Sequence, residues 1–126
     1  MSEAAVATAD SREGQVLSSA VTRIAAFWAL TNAEVGRVLG LSGPTASRLR
    51  SGAYRLERGA KPFELAQFLL RLFRSLDALM GSDDDAASRW LRTTNADLGG
   101  RPIDLIQTVQ GLVAVADYVD AFRARV

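Results

Sequence analysis

The run Asn32-Ala33-Glu34-Val35-Gly36-Arg37-Val38-Leu39-Gly40-Leu41-Ser42-Gly43-Pro44-Thr45-Ala46-Ser47-Arg48-Leu49-Arg50-Ser51-Gly52 reads as two short helices about a tight turn. Thr31 or Asn32 caps the first, Glu34 lies in its opening turn, and Val35, Val38 and Leu39 supply a buried stripe until Gly40 stops it. Leu41-Ser42-Gly43-Pro44 makes the turn. Ser42 is a natural N-cap and Pro44 suits a first helical turn, which predicts a second helix from about Pro44 to Ser51, closed by Gly52. This is helix-turn-helix spacing. Val35, Leu39, Leu41, Ala46 and Leu49 fall at core positions, leaving Gly43, Pro44, Ser47 and Arg48 on the face that a recognition helix offers to a major groove. Arg48 suits a guanine edge, whereas Ser42, Thr45, Arg50, Arg55 and Arg58 suit phosphates, which fix register without reading sequence. The competing reading is a helical hairpin with a solvated arginine face.

Working outward, residues 1–13 are rich in Ala, Ser, Glu and Asp without periodicity, so a mobile tail is expected there. From Val16 to Leu30 the apolar residues recur at helical spacing, giving a first helix and an N-terminal helix-turn-helix domain over 14–61. Ala53 to Pro62 reads as a loop. A long helix follows over 62–81. Its polar residues Glu64, Gln67, Arg71, Arg74 and Ser75 form one narrow stripe, so the rest must be covered by its own domain or by a partner, and a dimer seam is the expectation. Residues 82–126 read as a further helical module: a helix through Asp83-Asp84-Asp85 to Leu91, a loop over Asn95 to Gly100, and a short helix opened by Pro102. Gly111 is expected to interrupt the chain before a last helix from Leu112 to Phe122. No β-type alternation occurs, and the fold class is all-α.

The 126 residues contain no cysteine and no histidine. That excludes disulfides, thiol nucleophiles, thiolate or imidazole metal sites and every Ser-His or Cys-His triad. Three acids at Asp83 to Asp85 favour a helix start over a metal site, and no cofactor is expected. An enzyme would need a carboxylate pair such as Glu34 with Glu57, which nothing brings together. Fourteen of the fifteen basic residues are arginine, Lys61 being the exception, and arginine is the residue of bidentate phosphate and guanine contact. The net charge of +1 hides a split: residues 32–61 carry +4 and residues 82–126 carry −2. A basic helix-turn-helix is the electrostatic footprint of DNA binding. With no apolar run of membrane-spanning length and an acidic start to the chain, a cytoplasmic location is expected.

The run 32–52 resembles the helix-turn-helix of the Xre/Cro repressor class, through Gly36 where the two helices touch, Gly40-Leu41-Ser42 at the turn, Thr45 and Ser47-Arg48 on the recognition helix, and Gly52. It departs from that class at Gly43 and Pro44, where longer polar readers are common, and at Arg50, where an acid is common. Base reading therefore rests on Arg48 and Ser47.

A second resemblance lies in Trp90-Leu91-Arg92-Thr93-Thr94-Asn95-Ala96-Asp97-Leu98-Gly99-Gly100-Arg101-Pro102-Ile103-Asp104-Leu105-Ile106, followed by Gly111 and Val115. It looks like the toxin-binding domain of Xre/MbcA/ParS-type antitoxins. That resemblance implies a RES-domain toxin partner, an enzyme acting on NAD and encoded beside the antitoxin. The residues themselves account for a local structure: Gly99 and Gly100 suit a tight turn, Pro102 starts a helix, Asp104 sits in its first turn, and Trp90 anchors a core.

Candidate toxin-binding residues are Asn95, Gly99, Gly100 and Arg101 in the matched turn, with Asp117, Asp120, Arg123, Arg125 and Val126 at the end of the chain. A toxin pocket that takes an anionic dinucleotide is cationic, so the C-terminal end, including a Val126 carboxylate, is expected to approach it. The leading expectation is a type II antitoxin that inhibits its toxin and represses its own operon through operator DNA, as a homodimer within a larger complex. The alternative is a stand-alone repressor whose C-terminal helices serve only for dimerisation.

Overall fold

A computed structural model describes residues 3–125, with side chains from Arg12 onward. Its described residues form seven helices and their connections, with one isolated bridge between Asn95 and Gly100, so the all-α expectation holds. Helix α1 (Glu3–Phe27) starts well before Val16, where the apolar periodicity begins. The alanine-rich segment before it, expected to be irregular, continues the helix because alanine loses no side-chain entropy there. The helix also stops three residues earlier than the periodicity predicts. Ala29 takes a left-handed conformation (φ 52°), and the Leu30 amide donates back to the Ala25 carbonyl at 2.8 Å, closing the helix end.

Helix α2 (Asn32–Leu39) opens with a reciprocal cap: the Glu34 amide donates to Thr31 Oγ1 at 3.0 Å, and the Thr31 amide donates to Glu34 Oε1 at 2.8 Å. Gly40 ends it in the left-handed region, φ 72°. Helix α3 (Gly43–Ser51) is capped by Ser42, whose Oγ accepts from the Thr45 amide at 3.2 Å. The two helices meet at Gly36, where a Cβ would lie 2.6 Å from the Leu41 carbonyl oxygen, so only glycine permits the approach.

Helix α4 (Lys61–Leu79) runs through the middle of the molecule, packed against α1 and α2 on one side and against the last helix on another. Leu65, Ala66, Leu69, Leu72 and Leu76 are buried within the chain, which accounts for the apolar excess that suggested a dimer seam. Fully buried leucines such as Leu69 and Leu72 each contribute about 1.5–3 kcal/mol.

Helix α5 (Asp84–Arg92) is capped by Asp83, whose Oδ1 accepts from the Ala86 amide at 3.0 Å. The short α6 (Pro102–Leu105) and the long α7 (Val109–Arg123) complete the fold. The break between them falls at 106–108 rather than at Gly111. Thr108 caps α7, its Oγ1 accepting from the Gly111 amide at 3.0 Å, and Gly111 is helical. The need for glycine is steric, because a Cβ there would lie 1.8 Å from the Leu105 carbonyl oxygen. One continuous buried cluster, from Leu17 to Val119, joins all these elements, with Trp28 among its largest fully buried side chains.

Candidate functional site

The exposed side of α3 carries the residues expected to meet DNA. Ser42 Oγ donates to Thr45 Oγ1 at 2.9 Å, and Arg48 Nη2 donates to the same oxygen at 3.0 Å, so cap, hydroxyl and guanidinium form one hydrogen-bonded row. Ser47 is exposed beside Arg48, and Gly43 and Pro44 are exposed at the helix start. Arg50 is placed differently. Its Nη1 donates to the Leu30 carbonyl at 2.7 Å and to Asn32 Oδ1 at 3.2 Å, so it fastens α3 to the α1–α2 turn. Arg55 and Arg58 lie on the loop after α3, and Arg58 pairs with Glu13 of α1 at 3.1 Å.

At the other end of the molecule, Asn95 organises the 95–100 turn. Its Oδ1 accepts from the amides of Asp97 (2.9 Å) and Leu98 (3.1 Å), and its backbone bridges Gly100. Of the two turn glycines only Gly99 has a positive φ, 82°. Arg101 holds Asp104 with two hydrogen bonds, Nε to Oδ2 at 2.9 Å and Nη2 to Oδ1 at 3.1 Å. The guanidinium beside it keeps the Asp104 carboxyl below the usual carboxylate range, and the carboxylate in turn raises Arg101. Trp90 is half-buried against the core while its neighbour Leu91 is fully buried.

Asp117 and Asp120 pair with α4, although the Asp117 side chain stays 65% exposed. Arg71 Nη2 meets Asp117 Oδ1 at 2.5 Å and Arg71 Nε meets Asp120 Oδ2 at 2.8 Å, while Ser75 Oγ donates to Asp120. Hydrogen bonding to Asp117 is the largest cause raising the Arg71 pKa. These two acids therefore hold α7 on α4, a role that helical spacing alone does not separate from partner binding. Arg123 reaches back to Ser75 Oγ at 3.4 Å.

The free end of α7 shows a different surface. Phe122 is 40% exposed, packs edge-on against Tyr118 with ring centroids 4.9 Å apart, and carries the Arg125 guanidinium 5.6 Å above its ring. Tyr118 Oη donates to Asp97 Oδ2 at 2.8 Å, tying this aromatic pair to the Asn95 turn. Phe122 belongs to the apolar set of the last helix, and only its exposure sets it apart from Val115 and Val119. Val126 lies outside the described residues.

Two contacts between the halves were not legible in the sequence. Arg37 Nε donates to Gln107 Oε1, and Arg92 Nη2 donates to the Ala29 carbonyl at 3.1 Å. Each spans more than sixty residues of chain, a separation at which spacing carries no signal.

Among the described residues no group of three or more acidic side chains converges as a metal site would require, and no described helix is long and apolar enough to cross a membrane. A comparison with curated proteins returns no match. Two family models do match, and they meet in the middle of α4. The antitoxin Xre-like helix-turn-helix domain covers residues 8–74, and the antitoxin Xre/MbcA/ParS C-terminal toxin-binding domain covers residues 75–125. The basic recognition helix on one side and the Asn95 turn with the end of α7 on the other thus lie in the domains those models describe, and the chain belongs to the Xre-like antitoxins.

Proposed function

We propose that this antitoxin neutralises a RES-domain, NAD-consuming toxin by direct binding, and that as a homodimer it represses its own operon through α3. The match of residues 75–125 to a toxin-binding domain carries the first half of that reading. The chemistry is consistent with it. A pocket that accepts an anionic dinucleotide is cationic, and residues 82–126 carry a net −2. The exposed Phe122 with Arg125, flanked by the Asn95 turn and by the exposed Asp117, is the surface we assign to the toxin.

Operator binding is supported by the +4 charge of residues 32–61 and the exposed Ser42–Thr45–Arg48 row. Arg48 reads a base, and Ser42, Thr45, Arg55 and Arg58 supply phosphate contacts.

Co-expression with the adjacent open reading frame, scored by growth and by co-purification, tests the toxin claim. The pair should rescue growth and elute as one complex. Phe122→Ser combined with Arg125→Ser should restore toxicity while promoter binding persists, because neither side chain is buried and neither belongs to α3. Full neutralisation by that double variant would refute the assignment of this surface.

A further inference from the structure

Along α1, Gln15, Ser18, Ser19, Thr22 and Arg23 recur at helical spacing, so they share one face. That face is polar, and the end of α3 packs across it. Between the two helices lies a recess of about 370 Å³, to which Arg50, Ser51, Tyr54 and Arg55 also contribute. Three arginines line it, and among the described residues no acid does.

The loop after α3 is fixed against α1 at this point. The Leu56 amide donates to Ser18 Oγ at 2.9 Å, and that hydroxyl donates to the Gly14 carbonyl at 2.6 Å. A Cβ at Gly14 would lie 2.1 Å from the Leu56 carbonyl oxygen, so the loop approaches where only glycine leaves room. Arg55 is thereby set over the same stretch of α1, its Cγ 3.5 Å from that Cβ position. Arg50 lends charge to the recess while its Nη1 holds the Leu30 carbonyl. Arg23 is the arginine of the three that the fold leaves unused. It is exposed, and it makes no hydrogen bond or ion pair among the described residues.

The recess adjoins the face assigned to the operator. Ser51 follows Arg48 by one turn, about 60° away around the helix, and its Oγ donates to the Arg48 carbonyl at 3.1 Å. A DNA strand lying along the exposed side of α3 therefore meets the recess next. Guanidinium groups beside serine and threonine hydroxyls are the donors that phosphate oxygens attract in protein–DNA complexes.

We propose that this recess takes one phosphodiester of the operator backbone, held by Arg23 of α1 from one side and by Arg55 from the other, with Ser51 between. The proposal rests on the operator reading above and extends it: the DNA interface includes α1, and Arg23 is a phosphate contact that the helix-turn-helix pattern does not contain.

The full chain and a duplex carrying its own promoter serve for the test. Arg23→Ala should weaken binding about tenfold, to the promoter and to unrelated duplex alike, with the melting temperature unchanged. Arg12→Ala removes the same charge from the same helix about 16 Å away, beyond the screening length at physiological salt, and should leave affinity within about twofold of the wild type. Neutral methylphosphonates placed one at a time along the duplex should reveal a position at which the wild type loses affinity and Arg23→Ala loses markedly less. Arg55→Ala should lose markedly less at that same position. Each protein is compared with itself in this scan, so it stays informative if a variant is less stable.

Arg23→Ala that binds DNA as tightly as the wild type overturns the proposal, whatever it does to binding of a protein partner. Inorganic phosphate titrated onto the DNA-free chain, binding to the wild type and not to that variant, would then assign the recess to a free anion. An equal loss in Arg12→Ala, or a methylphosphonate profile that Arg23→Ala leaves unaltered, also overturns this site alone. A wild-type chain that does not bind promoter DNA overturns the operator reading and this site together.

Discussion

Arg92 of the toxin-binding domain donates to the carbonyl of Ala29, and the next carbonyl along, Leu30, accepts from Arg50 of the recognition helix. Two arginines from opposite halves of the molecule thus hold successive peptide groups of a single turn. That turn is also strained, since Ala29 sits at a φ of 52° that an L-residue with a Cβ adopts at a cost of about 1–2 kcal/mol.

Ala29→Gly should therefore stabilise the protein by about 0.5–1 kcal/mol, relief of the Cβ clash being partly offset by glycine's greater freedom when unfolded. Arg92→Ala should destabilise it by about 1–2 kcal/mol, since it removes the hydrogen bond to Ala29 and those to Ser88 at a partly exposed position. Urea unfolding midpoints check both. A destabilising Ala29→Gly would mean that the backbone at this turn is not held as described.

Gly111→Ala should cost about 3 kcal/mol, because its Cβ would meet the rigid Leu105 carbonyl rather than a side chain able to move aside. Gly43→Ala is the control. Nothing lies within 4 Å of a Cβ at Gly43, and its stability should change by no more than about 0.5 kcal/mol. Thermal melts of the two variants side by side distinguish a steric requirement from a general preference for glycine.

The arginines of residues 48–55 should separate by assay. Arg48→Ala should relax base preference by about 1–3 kcal/mol at one operator position. Arg55→Ala should lower affinity evenly across sequences and flatten the salt dependence by about one unit. Arg50→Ala should instead lower the melting temperature, since its guanidinium is bound to Leu30 and Asn32. Promoter binding titrated at several salt concentrations, with a melt of each variant, checks the assignment.

Asp104 should titrate below the ordinary carboxylate range in the folded protein, held there by its hydrogen bonds to Arg101. Its folded pKa is depressed, so its contribution to stability is present above the unfolded value of about 4 and is lost as pH falls through the lower folded value. Carbon-detected NMR titration should show this midpoint. In Arg101→Gln it should move up to the ordinary range.

What the sequence made legible is local. The Thr31 and Ser42 caps, the left-handed Gly40 and the Asp83 start are each set within four residues, and each is where its residue type predicts. Gly36 was legible too, as the small residue where helices touch. What the sequence did not reveal depends on contacts between distant parts of the chain. Gly111 looks like a helix breaker until the Leu105 carbonyl is placed against it. Arg50 looks like a phosphate contact until the Leu30 carbonyl is found within its reach. Asp117 and Asp120 have the spacing of a partner-facing stripe, and spacing does not reveal their pairing with Arg71 on the neighbouring helix. The extent of α1 was missed for another reason: alanine-rich sequence favours helix through backbone propensity, without leaving an apolar period to detect.

The two family domains meet between Arg74 and Ser75, inside one unbroken helix whose buried leucines serve both. Cutting there would expose Leu65, Leu69 and Leu72 on one fragment and Leu76 on the other, so each half would lose part of the core it shares with the other. Under the proposed function, unfolding that frees the operator would release the toxin in the same event, so that one lifetime would govern both.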